Sequence, residues 1–223
     1  MIPLRDDQPS YSFPFVTLAI IVVNVLVFLF EFSMPARSLN LFIMRHGVVP
    51  DRLELIDLVT SMFLHGGWLH LIGNMWFLWI YGDNVEDELG HGKFVLFYLL
   101  CGIAAGLVHI LVNPYSNVPT VGASGAIAGV MGAYVVKFPK ARIVTLVPIF
   151  IFLTTMEIPA YVMLLYWFAI QFFSGIGSIG YSNISGGGVA WFAHVGGFVA
   201  GAALVFLLGK RQPRFARYPG DSR

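Results

Sequence analysis

Charge is what this chain has least of. Among its 223 residues 13 are Lys or Arg and 12 are Asp or Glu, 11% in all, where an ordinary soluble domain carries roughly 25%. With 57% hydrophobic residues, the chain has more apolar surface than a soluble core of this length can hide. A water-soluble globule is excluded, and lipid is the solvent that remains. A net charge of +1 offers no basic surface to a nucleic acid. The single cysteine, Cys101, excludes an internal disulfide and, within an apolar run, reads as a buried unreactive thiol. Internal repeats, low-complexity tracts and a soluble domain are also missing, which leaves a transporter built on repeats with little support.

What is present is a series of apolar runs. A helical span needs about 20 such residues, and the expected helices are Phe13 to Phe32, Trp68 to Gly82, Phe94 to Val112, Ser124 to Lys137, Pro159 to Ile176 and Val189 to Leu208. Polar turns separate them at 83–93 and at the Asn, Pro and Ser cluster 113–119, a short apolar run to Met156 follows Arg142, and a Gly, Ser and Asn loop covers 180–188. The expected fold class is an all-α polytopic membrane protein, a six-transmembrane-helix bundle over 13–208, with an N-terminal segment 1–12 and a basic tail 209–223. A signal peptide is disfavoured because Asp6 and Asp7 stand beside Arg5. With both termini cytoplasmic, ten of the 13 cations lie inside and only Arg37, Arg45 and Arg52 outside, as the positive-inside rule prefers. The expected location is a prokaryotic plasma membrane. The loop from Ser33 to Gly67 mixes apolar and charged residues, as a segment lying in the interface does.

Polar groups inside such helices are costly, and each is a functional hypothesis with a structural rival. His70 and Asn74 share one helix face and can aim donors at one point, or serve as interhelical glue. His65, just before them, reads as structural, and Gly66 after it rules out a His-Glu-x-x-His zinc motif. No metal site is expected from this segment. Ser124 begins a helix whose 14 residues to Lys137 span roughly 21 Å, against a hydrocarbon core of roughly 30 Å. It therefore starts below the outer surface, at a helix N-terminus that favours an anion. Gly122 and Gly125 flank it, allowing a sharp turn and close approach, or simple N-capping and packing. His194 shares a face with Gly197 and Gly201, glycines that admit another helix closely, and the glycine-bearing helix of Ser124 is the natural partner.

A Ser hydroxyl needs a base, and His194 is the only candidate on its helix; without an acid there the pair is a dyad. The Ser124 N–H, the Asn74 amide and the His70 ring can supply an oxyanion hole. With these motifs the sequence resembles the rhomboid family of intramembrane serine proteases, in His65-x4-His70-x3-Asn74, Gly122-Ala123-Ser124-Gly125 and Ala193-His194-x2-Gly197-x3-Gly201. Gly82-x3-Glu86-x3-Gly90 is a fourth match, structural in the family. The resemblance implies a rhomboid-like bundle with Ser124 as nucleophile, His194 as base and His70 and Asn74 at the oxyanion hole, cleaving transmembrane protein substrates in the bilayer near its outer surface, without a cofactor. It also implies that the helix carrying Trp167, Phe168, Phe172 and Phe173, with the loop 180–188, gates entry.

Two departures stand out. Many members place an aromatic residue four after the nucleophile, against the catalytic ring; here Ala128 stands there, so another group must hold His194. The Trp-Arg pair common in the first outer loop is absent. Rival readings are a non-catalytic rhomboid-like protein that binds transmembrane clients and, further off, a transporter. An aspartyl membrane protease is excluded, since its Gly-x-Gly-Asp motif meets Ile80 before Gly82 and Asp83.

Overall fold

The computed structural model describes residues 2–149, 152–178 and 190–209, and these are mostly helical. The helices are α1 Phe15–Phe32, α2 Ala36–His46, α3 Asp57–Thr60, α4 Trp68–Leu89, α5 His91–Val112, α6 Ser124–Lys137, α7 Ala160–Ser178 and α8 Trp191–Leu208. By length and composition α1, α5, α7 and α8 are each apolar enough to cross a bilayer, and α6 is a shorter apolar helix. The expected loop 180–188, the start of the last helix at Val189 and the tail beyond Gly209 lie outside the described residues.

The helices follow an inside-out logic. On α1 the buried residues include Thr17, Asn24 and Glu31, two turns apart along one stripe, while Val22, Leu26, Phe30 and Phe32 face outward. Apolar side chains outside and polar ones inside suit a lipid solvent, because a polar group turned inward can meet a protein partner. The Asn24 amide donates to the Ile20 carbonyl at 2.8 Å, and Glu31 accepts from the His65 N–H at 3.2 Å.

The N-terminus of α1 has no capping side chain of its own. Glu86 of α4 supplies one from outside the helix, accepting from the backbone N–H groups of Val16 at 2.9 Å and Thr17 at 2.7 Å and from the Thr17 hydroxyl at 2.7 Å. A carboxylate on free N–H groups at a helix's positive end is a favourable placement. It explains why α4 runs to Leu89 instead of ending near Gly82: the charged stretch read as a turn at 83–93 is helical to Leu89, and the break is Gly90, with φ of 79°.

At the centre is α6, buried without interruption from Gly125 to Tyr134 and packed against α4, α5, α7 and α8. Its closest partner is α8. A Cβ added to Gly201 would stand 1.9 Å from the Gly129 carbonyl oxygen, so the two backbones touch directly.

The apolar run after Arg142 is not a loose connection. It forms β2 Arg142–Ile149 and β3 Phe152–Pro159, antiparallel, with β1 Ile2–Asp6 paired on the other side of β2. The N-terminal segment is thus tied to the bundle, Ile2 facing Leu146 and Asp6 facing Ile143. Pro148, which lacks a donor, lies beyond the reach of β1 and pairs only with Leu153. The sheet covers the end of the bundle where α6 terminates: the Tyr134 hydroxyl donates to Asp6, and the Trp76 indole donates to the Pro3 carbonyl at 2.6 Å.

Candidate active site

The other end of α6 holds a cavity of about 820 Å³. Irregular backbone leads to it, and that backbone is satisfied by protein. Thr120 and Val48 exchange two hydrogen bonds at 2.8 and 3.0 Å, and the Gly122 N–H donates to the Ser61 carbonyl at 2.8 Å. The Thr120 hydroxyl meets His109 Nε2 at 2.9 Å. Gly122 then turns the chain with φ of 128°, a conformation that costs a side-chain-bearing residue strain. A Cβ there would come within 2.7 Å of His70 Nε2 and 3.6 Å of Asn74 Nδ2, so glycine lets the backbone lie against both side chains.

Ser124 is the first residue of α6, and its side chain caps nothing. The N–H groups of this first turn have no intrahelical partners and face the site end of the helix. Across the glycine contact, a Cβ on Gly197 would stand 2.0 Å from the Gly125 carbonyl oxygen. This approach brings His194 of α8 to Ser124, Nε2 to Oγ at 2.8 Å. The imidazole is buried, and its Nδ1 meets Gln171 Oε1 of α7 at 2.7 Å. Since a carbonyl oxygen only accepts, Nδ1 carries the ring proton and Nε2 offers its lone pair to the Ser124 hydroxyl.

His70 and Asn74 line the same cavity beside Gly122. The Gly66 N–H donates to His70 Nδ1 at 3.3 Å, so in the neutral ring the proton sits on Nε2, the nitrogen beside Gly122. The Asn74 amide donates one N–H to His65 Nε2 at 3.0 Å. His65, its backbone N–H tied to Glu31, therefore buttresses Asn74, which gives the first histidine of the motif a definite structural task. His65 lies ahead of α4, and burial pushes its imidazole down to about 4, which keeps the ring neutral and able to accept.

Ser124, His194, His70 and Asn74 thus come together around one cavity, with Gly122 in their midst and Gly125, Gly197 and Gly201 in the helix contact behind them. Glu86 lies at the far end of α4, on the N-terminus of α1. Ala128 is buried inside α6, and the aromatic ring nearest His194 comes instead from α7: Trp167, with centroids 5.7 Å apart and planes at 37°. Phe168 packs on Phe198 at 4.8 Å, whereas Phe172 and Phe173 are exposed on the outer face of α7.

Two residues of this site escape a reading by motif. Gln171 is the one amide in α7, and the rule that singles out polar groups in apolar helices singles it out too. His109 of α5 lies too far along the chain from any motif to be noticed, and it fastens the loop ahead of Ser124. Among the described residues no group of three His, Cys, Asp or Glu side chains is placed to hold a metal ion.

Residues 52–211 match the family model described as the Rhomboid domain. The chain is 31% identical over 196 residues to Rhomboid-like protein 11, chloroplastic, of Arabidopsis thaliana, covering 86% of this chain and 64% of that one. It is 33% identical over 132 residues to Rhomboid protease GluP of Bacillus subtilis, 58% of this chain and 25% of that one. Similarity to RHOMBOID-like protein 6, mitochondrial, of Arabidopsis thaliana is 31% over 154 residues, 68% of this chain and 43% of that one. The chain spans no more than 64% of the length of these relatives. The apolar helices support an integral membrane protein, and since relatives named for chloroplast and mitochondrion match beside a bacterial one, the expected prokaryotic plasma membrane is not supported.

Proposed function

The chain belongs to the rhomboid family, and from that premise we propose that it is an intramembrane serine endopeptidase that cleaves peptide bonds in or near transmembrane segments of membrane proteins. The observation that carries this reading is the 2.8 Å hydrogen bond between Ser124 Oγ and His194 Nε2, half-buried beside a cavity that both residues line.

The chemistry follows from the geometry. Ser124 gives its proton to His194 Nε2 as its oxygen attacks the substrate carbonyl carbon. Negative charge then collects on the carbonyl oxygen, near the His70 Nε2–H, the free Asn74 N–H and the Ser124 backbone N–H. Preorganised donors of this kind are worth about 3 to 4 kcal/mol of barrier each. His194 passes the proton to the departing amine, the C–N bond breaks, and the acyl group remains on Ser124. A water, deprotonated by the same imidazole, releases it. The cavity, of about 820 Å³, is large enough to hold the water and an unwound stretch of substrate.

The test is covalent labelling by a fluorophosphonate probe together with cleavage of a model transmembrane substrate in proteoliposomes. Labelling and cleavage are expected in the wild type and are lost in both Ser124→Ala and His194→Ala. A folded wild type that neither labels nor cleaves would instead favour a non-catalytic protein that binds transmembrane clients, the reading suggested by relatives named only rhomboid-like.

A further inference from the structure

We propose that Gln171 is the positioning residue of the base, a neutral third member that fixes His194 in the tautomer able to take the Ser124 proton. The inference rests on the protease reading and assigns the orienting group that α8 itself does not provide.

The side-chain amide of Gln171 is buried, and its oxygen lies 2.7 Å from His194 Nδ1. A neutral imidazole has one N–H. Left alone it divides between two tautomers, and the one protonated at Nε2 has no lone pair for the Ser124 hydroxyl. An acceptor fixed at Nδ1 removes that tautomer and sets the ring plane, the task an acid performs in a Ser-His-Asp triad. Gln171 differs from an acid in one respect. It orients the ring without a full charge to stabilise the imidazolium, and in a buried site it adds no charge that would itself need a partner.

The placement is mechanically supported. Trp167 lies four residues before Gln171, on the same face of α7, and its ring is 5.7 Å from the imidazole. Trp167 and Phe168 both pack on Phe198 of α8, at 6.3 and 4.8 Å. One turn of α7 thus grips α8 beside the ring it orients, and the stacking group missing at Ala128 is replaced from a different helix. The other titratable groups whose fields reach His194 are His70 of α4 and His109 of α5. Both are imidazoles with hydrogen-bond partners of their own, and neither offers Nδ1 an anionic acceptor.

The experiment uses the full chain, purified in bicelles, with a fluorogenic transmembrane peptide and with histidine labelled with nitrogen-15 for NMR. Gln171→Met keeps the length and removes the acceptor; Gln171→Glu keeps the acceptor and adds charge. Gln171→Met is expected to lower kcat by roughly 10- to 100-fold with KM within about twofold, below the roughly hundred- to ten-thousand-fold that a general base supplies. Its His194 resonances, identified by their loss in His194→Ala, shift from a pure Nδ1–H tautomer to a mixture. Gln171→Glu restores most of kcat and moves the acidic limb of the pH profile upward, because a carboxylate favours the imidazolium. A Gln171→Met protein with kcat within twofold of wild type, or with an unchanged tautomer, overturns the proposal. So does a Gln171→Glu protein as slow as Gln171→Met, which would indicate a mere packing role. If the wild type fails to cleave at all, the protease reading falls, while the tautomer measurement still decides what Gln171 does.

Discussion

The two ends of α6 bury polar groups in opposite ways. Where α6 ends, the charged groups and helix termini are paired within the protein, although Asp83 Oδ1 and Asn84 Oδ1 are buried there without a partner among the described residues. The Glu86 carboxylate takes three donors from the start of α1 and a fourth contact from His91 Nδ1 at 2.6 Å; Lys137 pairs with Glu88 at 2.7 Å, and Lys93 caps the last carbonyls of α8 through Leu208 at 2.8 Å. Where α6 begins, capacity is held open. His70 keeps its Nε2–H toward the backbone at Gly122, Asn74 spends one N–H on His65, and Ser124 caps no helix. Polar groups saturated by protein hold a membrane bundle together, whereas groups aimed at a cavity wait for something else.

That contrast is open to direct attack. Ser124→Ala should cut cleavage by at least about a thousandfold while the melting temperature moves by no more than about 2 °C, since no packing is lost. A large stability loss in this variant would mean that Ser124 is structural after all. Glu86→Ala should do the reverse. Stripping the acceptor from buried donors costs about 3 kcal/mol, seen as a lower melting temperature and a smaller folded fraction, with cleavage per folded molecule within about twofold of wild type. Normal melting combined with slow turnover would break the distinction between the two ends. Gly201→Ala falls between them. Its Cβ meets the Gly129 backbone at 1.9 Å, so α8 must move, costing roughly 1 to 3 kcal/mol and drawing His194 away from Ser124. Gly92→Ala, where a Cβ meets nothing within 4 Å, is the matched control and should be neutral or slightly stabilising in circular-dichroism melts.

What was legible in the sequence was whatever the membrane makes expensive. The start of α6 at Ser124 and its end at Lys137 could be read because a charge and a serine bracket an apolar stretch too short to span. The contact of α6 with α8 could be read because glycine spacing encodes backbone proximity directly. The sheet was not, because hydropathy hides the difference between a strand and a short helix. The signal lay in the β-branched residues Ile143, Val144, Thr145, Val147, Thr154, Thr155 and Ile158, which favour strands over helices. The length of α4 is not legible, because Glu86 and Glu88 read as the exit from the membrane, whereas their partners Thr17 and Lys137 are supplied by α1 and α6. The role of Gln171 is hidden for a related reason: its partner lies 23 residues away on α8, and pairing between helices leaves no local pattern.

The smallest effect belongs to the end where α6 terminates and concerns Asp6, in β1 and outside the spanning helices. Burial is the main cause that pushes its carboxyl from the ordinary 3.8 up to about 6; the Tyr134 hydroxyl, donating to it, pulls back, and Asp83 and Asp7 push the same way as burial. A carboxyl with a folded pKa above its unfolded value holds its proton more tightly in the fold. Its contribution to stability is therefore complete below about 3.8 and is lost as pH rises through about 6. The junction of β1 with β2 should loosen over that window, read as faster amide exchange at Pro3-flanking positions and a modest fall in melting temperature. Asp6→Asn, neutral at every pH, should flatten the dependence and leave fluorophosphonate labelling of Ser124 untouched, since the strand lies at the opposite end of α6 from the cavity. A variant that keeps the wild-type slope would assign the effect to another group, and one that slows labelling would show that the two ends are coupled.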